Sequence, residues 1–378
     1  MQSIISTQKN YLRTIQETPI KFKTTLSLLL VFPFAFDIAH SYQNFDNDTN
    51  TSSTNTIGFP YRTLTIVAAP SPSTVFEQDG FKHGFGYDLT RNYAEKIHVN
   101  LNFVTVDSDK TALDWVNDGR AQMALTTTST LDSQYVTQIS GSCNAVNTMT
   151  ENGLNTNLTW VFSKKYHMLP SSAQSYLCDS KNSGALYQLA NFYATNYLPS
   201  HDIDAMTRNL EERLPSYKLN LKASAKQNNL DWEFLTAIAY QESYLKPDSV
   251  SHTGVRGVMM LTESTAKQMG VEDRTDPTQS IEGGAKYFNL MLDRFNDIPY
   301  PDRNWFALVA YNMGPNAVND IRKQLRAEGK NDSEWMSLYQ YLENNEKANS
   351  RHQQALQYVK RIRVYLEHIK TSEQIAKI

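Results

Sequence analysis

Glu242 is the residue of this sequence whose surroundings most clearly suggest acid–base chemistry. A helix through the segment "EFLTAIAYQES" would bring four residues to one face at the spacing i, i+3, i+4, i+7: Leu235, Ile238, Ala239 and Glu242. An ionised carboxylate is costly to bury without partners, and desolvation raises its pKa toward the range that a general acid needs near neutral pH. The spacing alone leaves a second interpretation open, a structural glutamate that is capped by the local backbone or paired with Lys246 or Arg256.

A loop rich in Ser, Gly and Pro follows this predicted helix. The segment "ESYLKPDSVSHTGVRGVMMLTESTA" combines a Glu-Ser helix end, a Pro, a Ser, a Gly-x-x-Gly turn and an apolar run that leads to Thr-Ala. Three further motifs follow in order: "DRTDPTQSIEGGAKYF", "FALVAYNMGPNAV" and "YVKRI". The order and spacing of these four motifs resembles the goose-type, lysozyme-like catalytic domain of the family 1 lytic transglycosylases. The resemblance covers about Trp232 to Leu366.

This resemblance implies a reaction and a catalytic residue. In these enzymes one glutamate first acts as an acid on the glycosidic oxygen after N-acetylmuramic acid and then acts as a base, so Glu242 would do both. The acetamido group of the substrate assists, and the C6 hydroxyl closes onto the anomeric carbon to give a 1,6-anhydromuramoyl end. The second carboxylate of most glycosidases is then unnecessary. We interpret Asp248, Glu263 and Asp276 as surface groups or helix caps.

The same resemblance implies a set of substrate-binding residues, namely Ser251, Met260, Tyr311, Asn312 and Tyr358. Ser251 would contact the substrate near the acid, although an ordinary turn serine also fits its position. Tyr311 would hydrogen-bond Glu242 or the sugar acetamido group, or it is a packed tyrosine with a hydrated hydroxyl. Tyr358 matches a second tyrosine near the acid.

The position of Met260 departs from the wider family pattern. Many relatives have Met-Gln where this chain has Met259-Met260, so one polar contact to the sugar is expected to be missing. Gly254 and Gly257 would let the backbone pass close to a glycan strand, or they would serve a tight turn.

The elements that must position these residues are predicted to be helices. From about Asp202 onward the sequence is typical of an almost entirely helical domain, which we assign to residues 201–378. Asp231 is the predicted N-cap of the helix that carries Glu242, and Ser280 is the predicted cap of "SIEGGAKYFNLMLDRF". The pair Gly314-Pro315 is expected to end the helix "DRNWFALVAYNM".

Residues 61–200 predict an α/β sheet. The segments "TLTIVAAP", "GFGYDLTRNYAEKIHVNLNFVTV" and "KTALDWVNDGRAQMALTTTST" alternate strands with helices, which is typical of a parallel sheet. They resemble the first lobe of the periplasmic amino-acid-binding proteins, and "LTWVFSKK" with "GALYQLANFYATNYL" would close that lobe. Too few residues remain for a second lobe, so we expect no closing ligand cleft. The predicted fold class is α+β multidomain, a single α/β lobe followed by a mainly α lysozyme-like domain.

Residues 1–41 are typical of a signal peptide. The apolar run "LSLLLVFPFAF" is too short for a comfortable membrane span, and four basic residues precede it: Lys9, Arg13, Lys21 and Lys23. Ala39-His40-Ser41 offers a cleavage site, and an uncleaved anchor is the alternative. A flexible polar leader is expected at 42–60. We therefore expect an exported protein in the periplasm of a Gram-negative bacterium, peripheral to the outer membrane or held by the anchor.

Composition and the rarer residue types limit the partners. Cys143 and Cys178 predict one disulfide in an exported chain, with two free buried thiols as the alternative. The net charge is −3, so nucleic acid is not an expected partner. The eight His residues lack metal-binding spacing, and neither a metal nor an organic cofactor is expected. We expect a monomer that acts on peptidoglycan glycan strands. A hydrolytic lysozyme-type muramidase and a degenerate murein-binding protein are the alternatives.

Overall fold

The computed structural model describes residues 62–78, 81–128 and 136–378, which fall within one compact unit of the chain. The predicted signal peptide at 1–41 and the predicted leader at 42–60 lie outside the described residues. An α/β sheet is followed by a mainly helical region, as the predicted fold class requires. None of the described helices is long and apolar enough to span a membrane.

The N-terminal part is built around one five-stranded sheet. In chain order its elements are β1 Thr63–Ala68, β2 Phe76–Gln78, β3 Phe81–His83, α1 Phe85–Lys96, β4 Asn100–Thr105, α2 Asp109–Asn117, β5 Met123–Thr126, β6 Val136–Ser140, α3 Val146–Glu151, β7 Thr159–Ser163, α4 Met168–Asn182 and α5 Ala185–Phe192. The strand order in the sheet is β4-β1-β5-β7-β6, and β2 pairs with β3 as a separate antiparallel hairpin. The predicted closing strand and helix of the lobe are therefore present as β7 and α5.

The sheet is mixed, and the three strands that the sequence predicted to be parallel are parallel. β1 runs parallel to β4 and β5, as the strand–helix alternation predicts. β7, the predicted returning strand, runs antiparallel to both β5 and β6. A parallel neighbour needs a long crossover, usually through a helix. The alternation ends after β5, and the connection from β6 to β7 holds only α3, a helix of six residues.

The C-terminal part consists of helices. They are α6 Ser200–Gln227, α7 Trp232–Ser243, α8 Glu263–Met269, α9 Pro277–Arg294, α10 Asp302–Met313, α11 Pro315–Ala327, α12 Trp335–Asn345, α13 Ser350–Thr371 and α14 Glu373–Ala376. The predicted domain boundary after residue 200 falls at the start of α6, and it stays a prediction.

The helix ends test three predicted caps. Asp231 caps α7, since its Oδ1 accepts a hydrogen bond from the Phe234 amide at 3.0 Å. Gly314 ends α10, and α11 begins at Pro315. The prediction for Ser280 is wrong, because α9 begins one turn earlier at an Asp276-Pro277 pair. Asp is a strong N-cap and Pro is favoured at the first helical position, so this pair starts the helix first.

Helix α7 is central to the helical part. Every residue from Phe234 to Tyr240 is buried, so burial extends well beyond the single face that the periodicity predicts. The helix packs against α13 and α6. Partial solvent exposure returns at Gln241 and Glu242, in the last turn. The Glu242 carboxyl group therefore lies at the edge of the core, at the end of a helix that is otherwise buried.

The α/β part packs directly against the helical part. Phe192 at the end of α5 contacts Trp305 of α10, with ring centroids 5.4 Å apart. Arg91 of α1 forms a 2.8 Å ion pair with the buried Asp302 at the start of α10. Because both contacts are shielded from water, the two parts share one continuous core.

A disulfide joins Cys143, just after β6, to Cys178 in α4. Replacing both residues (Cys143→Ser with Cys178→Ser) is expected to lower the free energy of unfolding by about 3–4 kcal/mol, because the bond closes a loop with a sequence separation of 35. Urea unfolding of the two proteins measures this difference. Reductant should destabilise the wild type and leave the variant unchanged; an equal response of the two would contradict the prediction.

Candidate active site

The acid stands where α7 ends and the chain turns sharply. Tyr244 and Leu245 directly follow the helix with φ of 55° and 58°, in the left-handed region. Ser243 fastens the helix end, since its hydroxyl donates to the Val258 carbonyl at 2.8 Å. The last turn of α7, with Glu242 on it, is thereby tied to the loop that follows.

Among the described residues, the hydroxyl of Tyr358 is the hydrogen-bond partner of Glu242 and donates to its Oε1 at 2.5 Å. Burial raises the pKa of the Glu242 carboxyl from 4.5 to about 7, and the bond from Tyr358 opposes this rise. Neither Lys246 nor Arg256 pairs with Glu242 among the described ion pairs, and both are exposed. The ion-pair alternative therefore has no support among the described residues, and the role of Glu242 as a proton donor stays a prediction.

Two tyrosines stand at the acid, and they do different things. The Tyr311 hydroxyl donates to the Met259 carbonyl at 3.1 Å, so its single proton is not available to Glu242. The predicted alternative bond from Tyr311 to Glu242 is therefore wrong, and Tyr358 makes that bond instead. The two rings stack at 6.5 Å with an interplanar angle of 13°. Burial, and then the charge of Glu242, raises the pKa of both tyrosines well above its usual value, so both remain donors.

Tyr287 of α9 is a site residue that the sequence reasoning missed. Its ring lies 5.1 Å from that of Tyr311, and it is partly exposed. With the partly exposed Tyr311 it forms an aromatic surface next to the buried Tyr358, and aromatic rings suit the apolar faces of sugars. Its place in the motif "DRTDPTQSIEGGAKYF" is the sequence signal that points to it, whereas its contact with Tyr311 depends on how α9 packs on α10.

The loop after α7 is held by its own hydrogen bonds. Ser251 accepts a bond from the Val255 amide on its Oγ at 3.0 Å, and its own amide donates to the Val255 carbonyl at 2.9 Å. The Arg274 guanidinium braces the loop by donating to the carbonyls of Gly254 and Leu261 at 3.0 and 3.1 Å. The turn-serine interpretation of Ser251 is thus realised, and its contact with substrate stays a prediction.

The Met259-Met260 pair is positioned by its backbone. The Met259 amide donates to Ser280 Oγ at 3.1 Å while its carbonyl accepts from Tyr311, and its side chain is fully buried. Met260 follows with a φ of 47° and is partly exposed. Ser280, wrongly predicted as a cap, therefore supports the site by holding the Met259 amide.

The remaining predicted residues lie at the surface. Asn312 is exposed at the end of α10, beside Tyr311. Asp248 and Glu263 are exposed, and Asp276 caps α9, as interpreted from the sequence. Within residues 62–78, 81–128 and 136–378, no group of three or more His, Cys, Asp and Glu side chains could hold a metal ion.

Comparison with known proteins shows a similarity that covers the region of Glu242. Residues 220–334 match the family model described as "Transglycosylase SLT domain", which places Glu242 and Tyr311 inside the match and Tyr358 beyond it. Residues 220–334 of the chain are therefore similar to the transglycosylase SLT domain.

Several known proteins are similar to part of this chain. The chain is 43% identical over 177 residues to "Membrane-bound lytic murein transglycosylase F" of Pseudomonas fluorescens, covering 46% of this chain and 36% of the relative. It is 39% identical over 189 residues to the protein of the same name from Marinobacter nauticus, covering 49% of this chain and 38% of the relative. The match thus spans little more than a third of the length of these relatives. A solved lytic transglycosylase Slt of Pseudomonas aeruginosa is 17% identical, with a TM-score of 0.34, over 54% of this chain and 36% of that chain.

Gly257→Ala is expected to lower the free energy of unfolding by about 3 kcal/mol, because the added Cβ would lie 1.8 Å from the Arg274 carbonyl oxygen at a φ of +86°. Gly254→Ala is the matched control. Its φ is +82°, but no described atom lies within 4 Å, so only the left-handed backbone costs about 1 kcal/mol. Urea unfolding measures both variants, and equal losses would show that the close approach of Arg274 is irrelevant.

Tyr358→Phe is expected to raise the pKa of Glu242 above about 7 by roughly one pH unit, because a hydrogen bond to the carboxylate is lost. Infrared difference titration of the carboxyl group measures this pKa, with Glu242→Gln to assign the signal. Since a general acid must be protonated, the alkaline limb of any Glu242-dependent activity moves to higher pH in the same variant. A pKa that is unchanged or lower would mean that the bond does not stabilise the carboxylate.

Proposed function

We propose that the chain is a peptidoglycan lytic transglycosylase. It would cleave the bond between N-acetylmuramic acid and N-acetylglucosamine and leave a 1,6-anhydromuramoyl end. The observation that carries this proposal is the Glu242 carboxyl group, whose pKa burial raises to about 7, at the end of a buried helix inside the region that is similar to the transglycosylase SLT domain. The names of the relatives, lytic murein transglycosylases, support the same substrate.

The proposed reaction uses Glu242 twice. Protonated Glu242 donates its proton to the glycosidic oxygen, and the bond to the anomeric carbon breaks while the acetamido group of the substrate assists. The Glu242 carboxylate then takes the proton of the C6 hydroxyl, whose oxygen bonds to the anomeric carbon. The acid ends protonated and no water is consumed. The Tyr358 hydroxyl supports the intermediate state, since its hydrogen bond favours the carboxylate.

The substrate contacts are proposed for five residues, namely Ser251, Met260, Tyr311, Asn312 and Tyr358. The ring surface beside the acid and the exposed amide of Asn312 support this assignment. For Ser251 the partly exposed position in the loop after the acid supports it, although the hydroxyl also serves the turn.

We further propose that the protein is exported to the periplasm of a Gram-negative bacterium and acts there on glycan strands as a monomer. It would be peripheral to the outer membrane or held by its N-terminal segment. The disulfide supports an oxidising compartment, and the relatives are named as membrane-bound.

Mass spectrometry of digested murein sacculi tests the proposed function. The wild type should release anhydro-muropeptides, and Glu242→Gln should reduce the release by at least about 10²-fold because the proton donor is lost. Glu263→Gln, at an exposed glutamate of α8, is the matched control and should retain activity. Glu242→Gln should stay folded, since burial disfavours the charged form of the native carboxyl and glutamine stays neutral.

The other outcomes of this digestion are informative. Products with reducing ends would overturn the proposal in favour of a hydrolytic muramidase. Binding to sacculi without turnover would overturn it in favour of a murein-binding protein.

A further inference from the structure

Helix α13, which carries Tyr358, also forms hydrogen bonds with the α/β part of the chain. Two residues after Tyr358, the Lys360 ammonium donates to Asn191 Oδ1 in the last turn of α5 at 2.9 Å. One turn further, the fully buried Arg363 donates to the Ala194 carbonyl at 2.7 Å. Both acceptors lie outside the SLT match at 220–334, as do α13 and its donors.

Asn191 joins two helices through a single atom. Its Oδ1 accepts from Lys360 of α13 and also from the Tyr339 hydroxyl of α12, the latter at 2.7 Å. An amide oxygen has two lone pairs, so both are used. No residue that accepts from one helix alone could fix α12 and α13 relative to α5 in this way.

The ammonium of Lys360 depends on this acceptor. It is partly buried and lies 4.3 Å from the centroid of the Tyr197 ring. Burial, and then the charge of Arg363, lowers its pKa to about 8, while Glu343 and Glu346 favour its charged form. A desolvated ammonium without a hydrogen-bond acceptor is costly, so the bond to Asn191 resists movement of α13.

Helix geometry shows how the Lys360–Asn191 hydrogen bond relates to the contact of Tyr358 with Glu242. Successive residues of an α-helix are about 100° apart around its axis, so Lys360 points away from the side on which Tyr358 meets Glu242. Asn191 therefore holds α13 from behind. The 2.5 Å contact of Tyr358 with Glu242 weakens steeply with small displacements of the helix.

We propose that Asn191 is a positioning residue of the active site: by holding Lys360 and Tyr339 it keeps α13 where the Tyr358 hydroxyl reaches Glu242. Asn191 touches no reacting atom. Its role in catalysis rests on the proposed function, whereas its role in the Tyr358–Glu242 contact does not.

The test compares variants of neighbouring amides on α5 in the full chain. Asn191→Leu removes the acceptor at similar volume, and Asn191→Asp keeps an acceptor for both donors. Gln188→Leu is the matched control, because Gln188 lies on the same helix and accepts from Gln340 of α12 but from no residue of α13. Lys360→Met removes the donor from the α13 side and serves as the second variant if Asn191→Leu does not fold.

The readout is the infrared titration of the Glu242 carboxyl group. Asn191→Leu and Lys360→Met should raise its pKa by up to about one pH unit, as Tyr358→Phe does, because the same hydrogen bond is lost. Asn191→Asp and Gln188→Leu should leave it at the wild-type value. The double variant Asn191→Leu with Tyr358→Phe should rise no further than Tyr358→Phe alone, which a general loss of stability would not produce.

Activity separates this inference from the proposed function. The alkaline limb of anhydro-muropeptide release should move to higher pH in Asn191→Leu and be restored in Asn191→Asp. An unchanged titration in both Asn191→Leu and Lys360→Met, or an equal rise in Gln188→Leu, would overturn the positioning role. A wild type that releases no anhydro products would overturn the proposed function, and the titration would still decide the role of Asn191.

Discussion

The hydrogen bond between Tyr358 and Glu242 joins residues 116 positions apart, and it depends on how α13 packs against α7. A carboxyl group loses solvation at the end of α7 only because that helix is packed on nearly every side. The tyrosine arrives on α13, whose 22 residues extend over about 33 Å. That length lets one helix touch the acid with one side and the α/β part with another. Burial at the end of α7 and the hydrogen bond from α13 thus act in opposite directions on the pKa of this carboxyl group.

The aromatic residues around the acid divide the work of support. The Tyr358 hydroxyl donates a hydrogen bond to the carboxyl group, whereas the Tyr311 hydroxyl donates to the Met259 carbonyl. Because burial keeps both hydroxyls protonated, neither competes with Glu242 as a base in the pH range of the proposed reaction. The site therefore has one group that titrates near neutrality, surrounded by donors whose protonation state is constant.

The sequence predicted those helix ends that depend on residues close together in the chain. The N-cap at Asp231 and the helix break at Gly314-Pro315 follow from side-chain and backbone preferences within a few residues, and the structure has both. The predicted cap at Ser280 is wrong because Asp276, a stronger N-cap followed by Pro277, lies four residues earlier. Helix propensities predict the correct start only when the two candidate caps are compared. The antiparallel half of the sheet and the partner of Glu242 depend on how distant segments approach. Spacing in the sequence does not encode that approach, so Tyr358 could be named only through resemblance, and Asn191 gave no signal at all.

The Met259 peptide has a consequence for how this site can vary. Its two backbone hydrogen bonds do not depend on the side chain at 259, so the constraint on that buried side chain comes from packing. The limit comes from Gly284 of α9, where an added Cβ would stand 2.5 Å from Met259 Cγ. Because Gly284 has no side chain, the Met259 side chain can pack directly against the backbone of α9. Residues 259 and 284 therefore share one volume, so a side chain at 284 is compatible with the fold only when the residue at 259 is smaller than Met.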